Sequence, residues 1–272
     1  MTIAIERGRP LDDAARPRVR LLGMGIDCVD RAAAERRMAE MVREGGPHQA
    51  VTVNLDFIHH GSRNAAFRQL VNQADLVVAD GTPVLWFARY LGGRLPERIT
   101  GPDLVEMAVT HSQAHGSSLF FLGAAPGIAD RAAERLRERF GAFALAGTYS
   151  PPFGPLDGDE DRRIRRLLRD ARPDFLFVAF GCPKQDFWIR DHADLGVPFA
   201  AGVGGSFEFL SGAIPRAPRW AQRAGLEWSF RLWHEPRRLA RRYLVDDVRV
   251  VGKLLLSRFR RPHEAAPSGD GG

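Results

Sequence analysis

The sequence predicts an α/β fold: a mostly parallel sheet with helices on both faces, followed by a C-terminal helical appendage. Three observations carry this. Short apolar runs such as "DLVVA", "SLFFLG" and "DFLFVAF" are nearly continuous in Val, Leu and Phe, as in strands covered on both faces. Amphipathic stretches of helical period lie between them, and strand alternating with helix implies parallel pairing. From about residue 216 the strands stop, and two proline-marked helical stretches follow, at about 218–233 and 236–259.

Taken in order, residues 1–18 have the composition of a loose tail, as do residues 262–272. "VRLLGM" reads as the first strand. "DRAAAERRMAEMVREG" opens on Asp30 as an N-cap and stops at Gly45. "QAVTVNL" is the next strand, then one helical run, "DFIHHGSRNAAFRQLV", and the strand "DLVVA". After "SLFFLG", the stretch "PGIADRAAERLRERFG" starts behind a Pro-Gly and ends at Gly141. "FALAG" precedes "DEDRRIRRLLRDA", whose acids come before its arginines, as the helix dipole favours. "DFLFVAF" and "PFAAGV" close the series. This gives an α/β core over 19–215 and a basic appendage over 216–261. On a helical wheel Arg237, Arg238, Arg241, Arg242, Arg249 and Lys253 share one arc, with Leu239, Tyr243, Leu244, Val250, Val251 and Leu254 mainly on the other.

Bulk composition narrows the class. The 272 residues are 44% hydrophobic and 26% charged, enough to bury a core. Residues 216–261 carry 13 Arg or Lys against 4 Asp or Glu, whereas the whole chain is only +6. Basicity therefore belongs to one segment and asks for a local anionic partner. Cys28 and Cys182, far apart, form neither a disulfide framework nor a metal-like spacing. The longest apolar stretch is interrupted by Glu208 and dense in glycine, so no membrane span is expected. The first residues do not read as a signal peptide, and a cytoplasmic place follows.

In open α/β sheets chemistry collects at the C-terminal ends of the strands. "VTVNLD" puts Thr52 and Asn54 there, two residues apart and so on one side, although Asn54 is equally a helix cap. "VVADGTP" ends on Asp80 and Gly81, an acid suited to general-base work or an ordinary turn. "ERITGPDLV" sets Arg98, Thr100 and Asp103 around a helix start, where an anion or merely a cap would be satisfied. "FLGAAPG", with Gly123, has the form of a phosphate loop without full GxGxxG spacing. "VAFGCPKQDFW" and "AGVGGSFEFLSG" are later junctions of that kind, offering Gln185, Gly204 and Gly205. "DGDED" at 157–161 reads as a helix's acidic first turn, and His59, His60, His111 and His115 lack a third ligand at useful spacing. No metal site is expected.

"TVN", "ADGTPVLW", "RITGPDLV", "FLGAAPG", "VAFGCPKQDFWI", "GVGGSFEFLSG", "RAPRWAQRAGLEW" and "RLWHEPRRLARRYL" occur in this order. The set, over about residues 20–250, resembles the WecG/TagA/CpsF glycosyltransferases of bacterial cell-surface polysaccharide synthesis. The resemblance implies a Rossmann-like core and inverting transfer from a UDP-sugar to a saccharide on a polyprenyl diphosphate, without metal or other cofactor. It carries the Thr-x-Asn onto Thr52 and Asn54, the proposed catalytic aspartate onto Asp80, an arginine onto Arg98 and a glutamine onto Gln185. Asp186 stands where many members have Glu. The appendage is expected to engage the inner face of the cytoplasmic membrane, with Trp220, Trp228 and Trp233 at the interface. Arginines there replace a metal at the departing diphosphate, and Arg216, Arg219, Arg223 and Arg231 are the candidates.

Two other classes compete on composition alone. A basic nucleic-acid-binding α/β protein fits the charged segment, but no RRM, KH, helix-turn-helix or finger signature is present, so no nucleic-acid partner is expected. A dinucleotide-dependent oxidoreductase fits the alternation but lacks the glycine fingerprint and its partner acid.

Overall fold

Two sheets organise the chain in this computed structural model, which describes residues 16–152, 154, 156–215, 230, 232, 244 and 246–257. The larger has six parallel strands in the order β4-β3-β8-β7-β5-β6, namely β3 (Gln49–Val53), β4 (Leu76–Ala79), β5 (Leu119–Gly123), β6 (Leu145–Tyr149), β7 (Phe175–Ala179) and β8 (Phe199–Gly202). The smaller pairs β1 (Arg18–Leu21) with β2 (Met24–Asp27), antiparallel. The sequence suggests a single strand at "VRLLGM"; the chain instead turns back at Leu22 (φ 48°) and Gly23 (φ 86°). Two successive positive φ angles make the tight hairpin turn whose twist matches its strands.

Alternating strand residues divide the core. Ala50, Val78, Phe121, Phe177 and Ala201 point to one face, covered by α1 (Arg31–Glu44), α5 (Gly101–His115), α6 (Ile128–Phe140) and α9 (Ser206–Leu210). On the other face Val51, Val53 and Val77 pack beneath α2 (Leu55–Arg63), α3 (Ala65–Gln73) and α4 (Thr82–Tyr90). Phe120, Leu122 and Val178 meet α7 (Gly158–Ala171) and α8 (Lys184–Asp191). Helices thus cover both faces, as the apolar runs require. The expected caps are present: Asp30 Oδ1 accepts from the Ala33 amide at 2.8 Å, and Gly45 ends α1. The run after β3 is two helices, because Asn64 accepts from the Phe67 amide and starts α3 anew. The acidic run behaves as a first turn, with Asp157 capping α7.

The C-terminal α10 (Asp247–Ser257) returns to the core and buries Val250 and Leu254 in the cluster that holds α2 and α3. Arg249 and Lys253 stay exposed, as the wheel predicts. Leu244, assigned to the apolar arc, is 62% exposed.

One ion pair pins the hairpin to the sheet. Arg18 Nε donates to Asp27 Oδ1 at 2.6 Å, and Asp27 Oδ2 accepts from the Val77 amide in β4 at 2.7 Å. Arg18 also donates to the carbonyls of Asn72 and Ala74, so the guanidinium and carboxylate are satisfied together. The Asp27→Ala variant strands a buried guanidinium and an amide. We expect a loss of about 3–5 kcal/mol in urea denaturation, and a loss under about 1 kcal/mol would show that the pair does not hold the hairpin.

Candidate active site

The parallel sheet brings the expected strand ends to one edge. The connection leaving β5 runs outward to β6, whereas that leaving β7 runs back to β8. Their helices lie on opposite faces, α6 in one core cluster and α8 in another. The winding reverses between the ends of β5 and β7, the switch point at which such sheets usually place a ligand crevice.

At the far end of the same edge, hydrogen bonding continues one step past the strands. The register of β3 and β4 closes with Val53 opposite Ala79, and the Asp80 amide then donates to the Val53 carbonyl at 2.8 Å. Asn54 and Asp80 follow these residues directly. On the other side of β4 the Ile99 amide donates to the Ala79 carbonyl at 2.8 Å, which brings Arg98 alongside. Asn54, Asp80 and Arg98 are all half-buried, so they are held yet reachable. Gly81 begins the turn into α4 with φ 114°. Asn54 uses its side-chain oxygen to cap α2 at the Phe57 amide, 3.2 Å away. Thr52 is 4% exposed and shares the face of Ala50, beneath α1 and α5.

The segment after Arg98 is built as a helix start. Thr100 Oγ1 donates to Asp103 Oδ2 at 2.6 Å, the Thr100 amide donates to the same oxygen at 2.8 Å, and α5 begins on a capping box. These two side chains are bonded to one another; what they offer a ligand is an oriented N-terminus. Gly101 lets that N-terminus approach the start of α9, since an added Cβ would lie 2.3 Å from Ser206 Oγ. Gly204 and Gly205 precede α9 and flank the end of β3 through the β3–β8 pairing.

At the crevice, Gly123 has φ 103°, and a Cβ there would come 2.8 Å from the Ala179 carbonyl oxygen. Only glycine lets the loops after β5 and β7 meet this closely. Gln185 is 1% exposed, and its Oε1 accepts from the Gly181 amide at 3.1 Å and the Gly204 amide at 3.0 Å. It braces the loops after β7 and β8, a role its sequence position does not reveal.

Arg216, Arg219, Arg223 and Arg231, with Trp220, Trp228 and Trp233, lie outside the described residues. Sequence spacing missed two features. Trp86, on α4 beyond Asp80, is 54% exposed. Cys182 comes together with Asp56 and His60, so His60 does acquire partners of ligand type.

Asp186, beside Gln185, is fully buried, and neither carboxylate oxygen has a hydrogen-bond partner. Burial pushes its carboxyl up to about 8. An aspartate in an unfolded chain ionises near pH 4 (roughly). Between about pH 4 and 8 the folded state thus keeps a proton that the unfolded state has lost, and stability falls as pH rises, by up to about 1.4 kcal/mol per unit. Asp186→Asn keeps the shape without the charge. Its margin over the wild type in melting temperature should be smaller near pH 5 (about one unit above the unfolded pKa) and widen steadily toward pH 8 (about the folded one). Parallel melting curves across that range would overturn the buried neutral acid.

Comparison with known proteins agrees with this architecture. A family model described as "Glycosyl transferase WecG/TagA/CpsF family" matches residues 19–264. The N-acetylglucosaminyldiphosphoundecaprenol N-acetyl-beta-D-mannosaminyltransferases of Staphylococcus aureus strains MW2 and NCTC 8325 are each 30% identical over 192 residues. Those matches cover 70% of this chain and 74% of each relative. With a parallel sheet whose strand ends carry the ordered motifs, and a family match over nearly all of its length, this chain belongs to the WecG/TagA/CpsF family of glycosyltransferases.

Proposed function

We propose that this chain is an inverting glycosyltransferase that moves a hexose or N-acetylhexosamine-type sugar from a UDP-sugar to a saccharide on a polyprenyl diphosphate, in surface polysaccharide synthesis. The observation that carries this is the convergence of Asn54, Asp80 and Arg98 beyond paired β3 and β4. The printed names of the Staphylococcus relatives, with an acceptor on diphosphoundecaprenol, support the acceptor class.

In one-step inversion, Asp80 takes the proton from the acceptor hydroxyl as that oxygen attacks the anomeric carbon, and the bond to UDP breaks. Negative charge grows on the departing diphosphate. Arg98 stands on the neighbouring segment, and Arg216, Arg219, Arg223 and Arg231 are the further guanidinium candidates. Four strand spacings separate Asp80 from Gly123, about 19 Å at roughly 4.8 Å each. The two ends of the edge therefore serve different parts of an extended ligand, the crevice taking the nucleotide side and β3–β4 the reacting carbon.

The acceptor is lipid-linked, and no helix among the described residues is long and apolar enough to cross a membrane. Access comes from the surface. Val248, Leu255 and Leu256 on α10 are 58%, 42% and 59% exposed, with the cations Arg249 and Lys253 beside them. Exposed leucines flanked by basic residues suit the inner, anionic face of the cytoplasmic membrane.

UDP release, measured across a panel of UDP-sugars with a short-chain polyprenyl diphosphate saccharide and EDTA present, tests the activity. Acceptor-dependent release with one donor is expected; no release with any donor and acceptor pair would defeat the proposal. Asp80→Asn should abolish release, by a factor of roughly 10² or more, while UDP still binds in calorimetry. Unchanged turnover removes Asp80 from the mechanism. A variant with Val248→Asp, Leu255→Asp and Leu256→Asp should lose flotation with anionic liposomes while keeping its melting temperature, and full flotation would move the membrane contact elsewhere.

A further inference from the structure

His60 becomes chemically interesting only when the chain folds. Asp56 and His60 lie one turn apart on α2, and the loop after β7 carries Cys182 to them. One ligand-type atom from each residue lies within 4.8 Å of the others. Asp56 Oδ1 and His60 Nε2 are 3.7 Å apart. Ligands bound tetrahedrally to zinc at about 2.0–2.3 Å stand roughly 3.3–3.6 Å from one another. The Asp–His pair is thus already near ligating separation, and rotation of the thiol side chain closes the remaining ångström or so. All three residues are half-buried, so they are neither sealed from solvent nor freely waving in it.

We propose that Asp56, His60 and Cys182 form a binding site for a divalent transition-metal ion of the zinc class. One imidazole, one carboxylate and one thiolate are a borderline-soft donor set, which favours zinc or cobalt over magnesium or calcium. On binding, the Cys182 thiol gives its proton to solvent and its sulfur becomes the third ligand. Asp56 and His60 also line a cavity of about 460 Å³ with Arg63, Asn64 and Arg249. That cavity, which His59 and Asp246 line as well, is the ion's way in, and its polar groups suit water at the fourth position. Behind the site the Phe67 ring stands edge-on to His60 at 6.2 Å, with Phe187 5.7 Å beyond it. This apolar backing limits competing water. The bound ion ties the start of α2, two residues past Asn54, to the loop that holds Gly181 and leads into Gln185 on α8. It staples two strand ends and is separate from the charge chemistry at the diphosphate.

The test is a cobalt(II) titration of the full chain after dialysis against a chelator, followed by thiolate-to-cobalt charge-transfer absorption. Zinc and then magnesium are added as competitors. A single saturable cobalt site with that band is expected, displaced by zinc and indifferent to magnesium. Cys182→Ser should abolish the band, His60→Ala should weaken binding by roughly tenfold or more, and Cys28→Ser should change neither. A wild-type protein without the band, or a band that persists in Cys182→Ser, overturns the site. The wild-type titration decides by itself, so a variant that fails to fold does not shelter the proposal.

Discussion

The hydrogen bond from the Asp80 amide to the Val53 carbonyl is the constraint on which the site depends. It extends the β3–β4 ladder by one step, so the backbone of the candidate base is fixed by the sheet and not by its own turn. The Ile99 amide does the same for the Ala79 carbonyl. The backbones that carry Asn54, Asp80 and Arg98 are therefore tied by one shared network, which would limit the reorganisation needed at the proposed site. An aspartate on a free loop would have to surrender conformational entropy at each turnover.

A second brace lies farther along the edge. Gln185 joins the Gly181 and Gly204 amides through one oxygen, satisfying groups that a strand end would otherwise leave open. Its neighbour Asp186 is an acid without a partner in a dry environment. Such a group is a net cost to folding, and it lies directly beside the brace.

Much of this architecture was legible from local chemistry. Apolar runs located all six strands of the parallel sheet, and Asp30, Gly45 and Gly141 marked helix limits because caps act within a few residues. The hairpin was not legible, since it rests on Leu22 adopting a left-handed conformation that leucine seldom favours. The break at Asn64 was missed because an apolar period continues across it while the backbone does not. At the site, Asp80 and Asn54 could be marked as residues closing strands. The function of Gln185 depends on an amide 19 residues away, and the meeting of His60 with Cys182 depends on strand order; neither leaves a trace in spacing. Thr100 and Asp103 show the reverse case, where the capping alternative accounts for the bonds between them.

The burial of Val250 and Leu254 against the α2 side of the core makes α10 part of the same rigid body as the sheet. Two buried side chains one turn apart also stop the helix from rolling about its own axis, since any turn would lift one of them into water. The exposed face that carries Val248, Leu255 and Leu256 therefore keeps a fixed bearing to α2, and through the Asn54 cap of α2 to the end of β3.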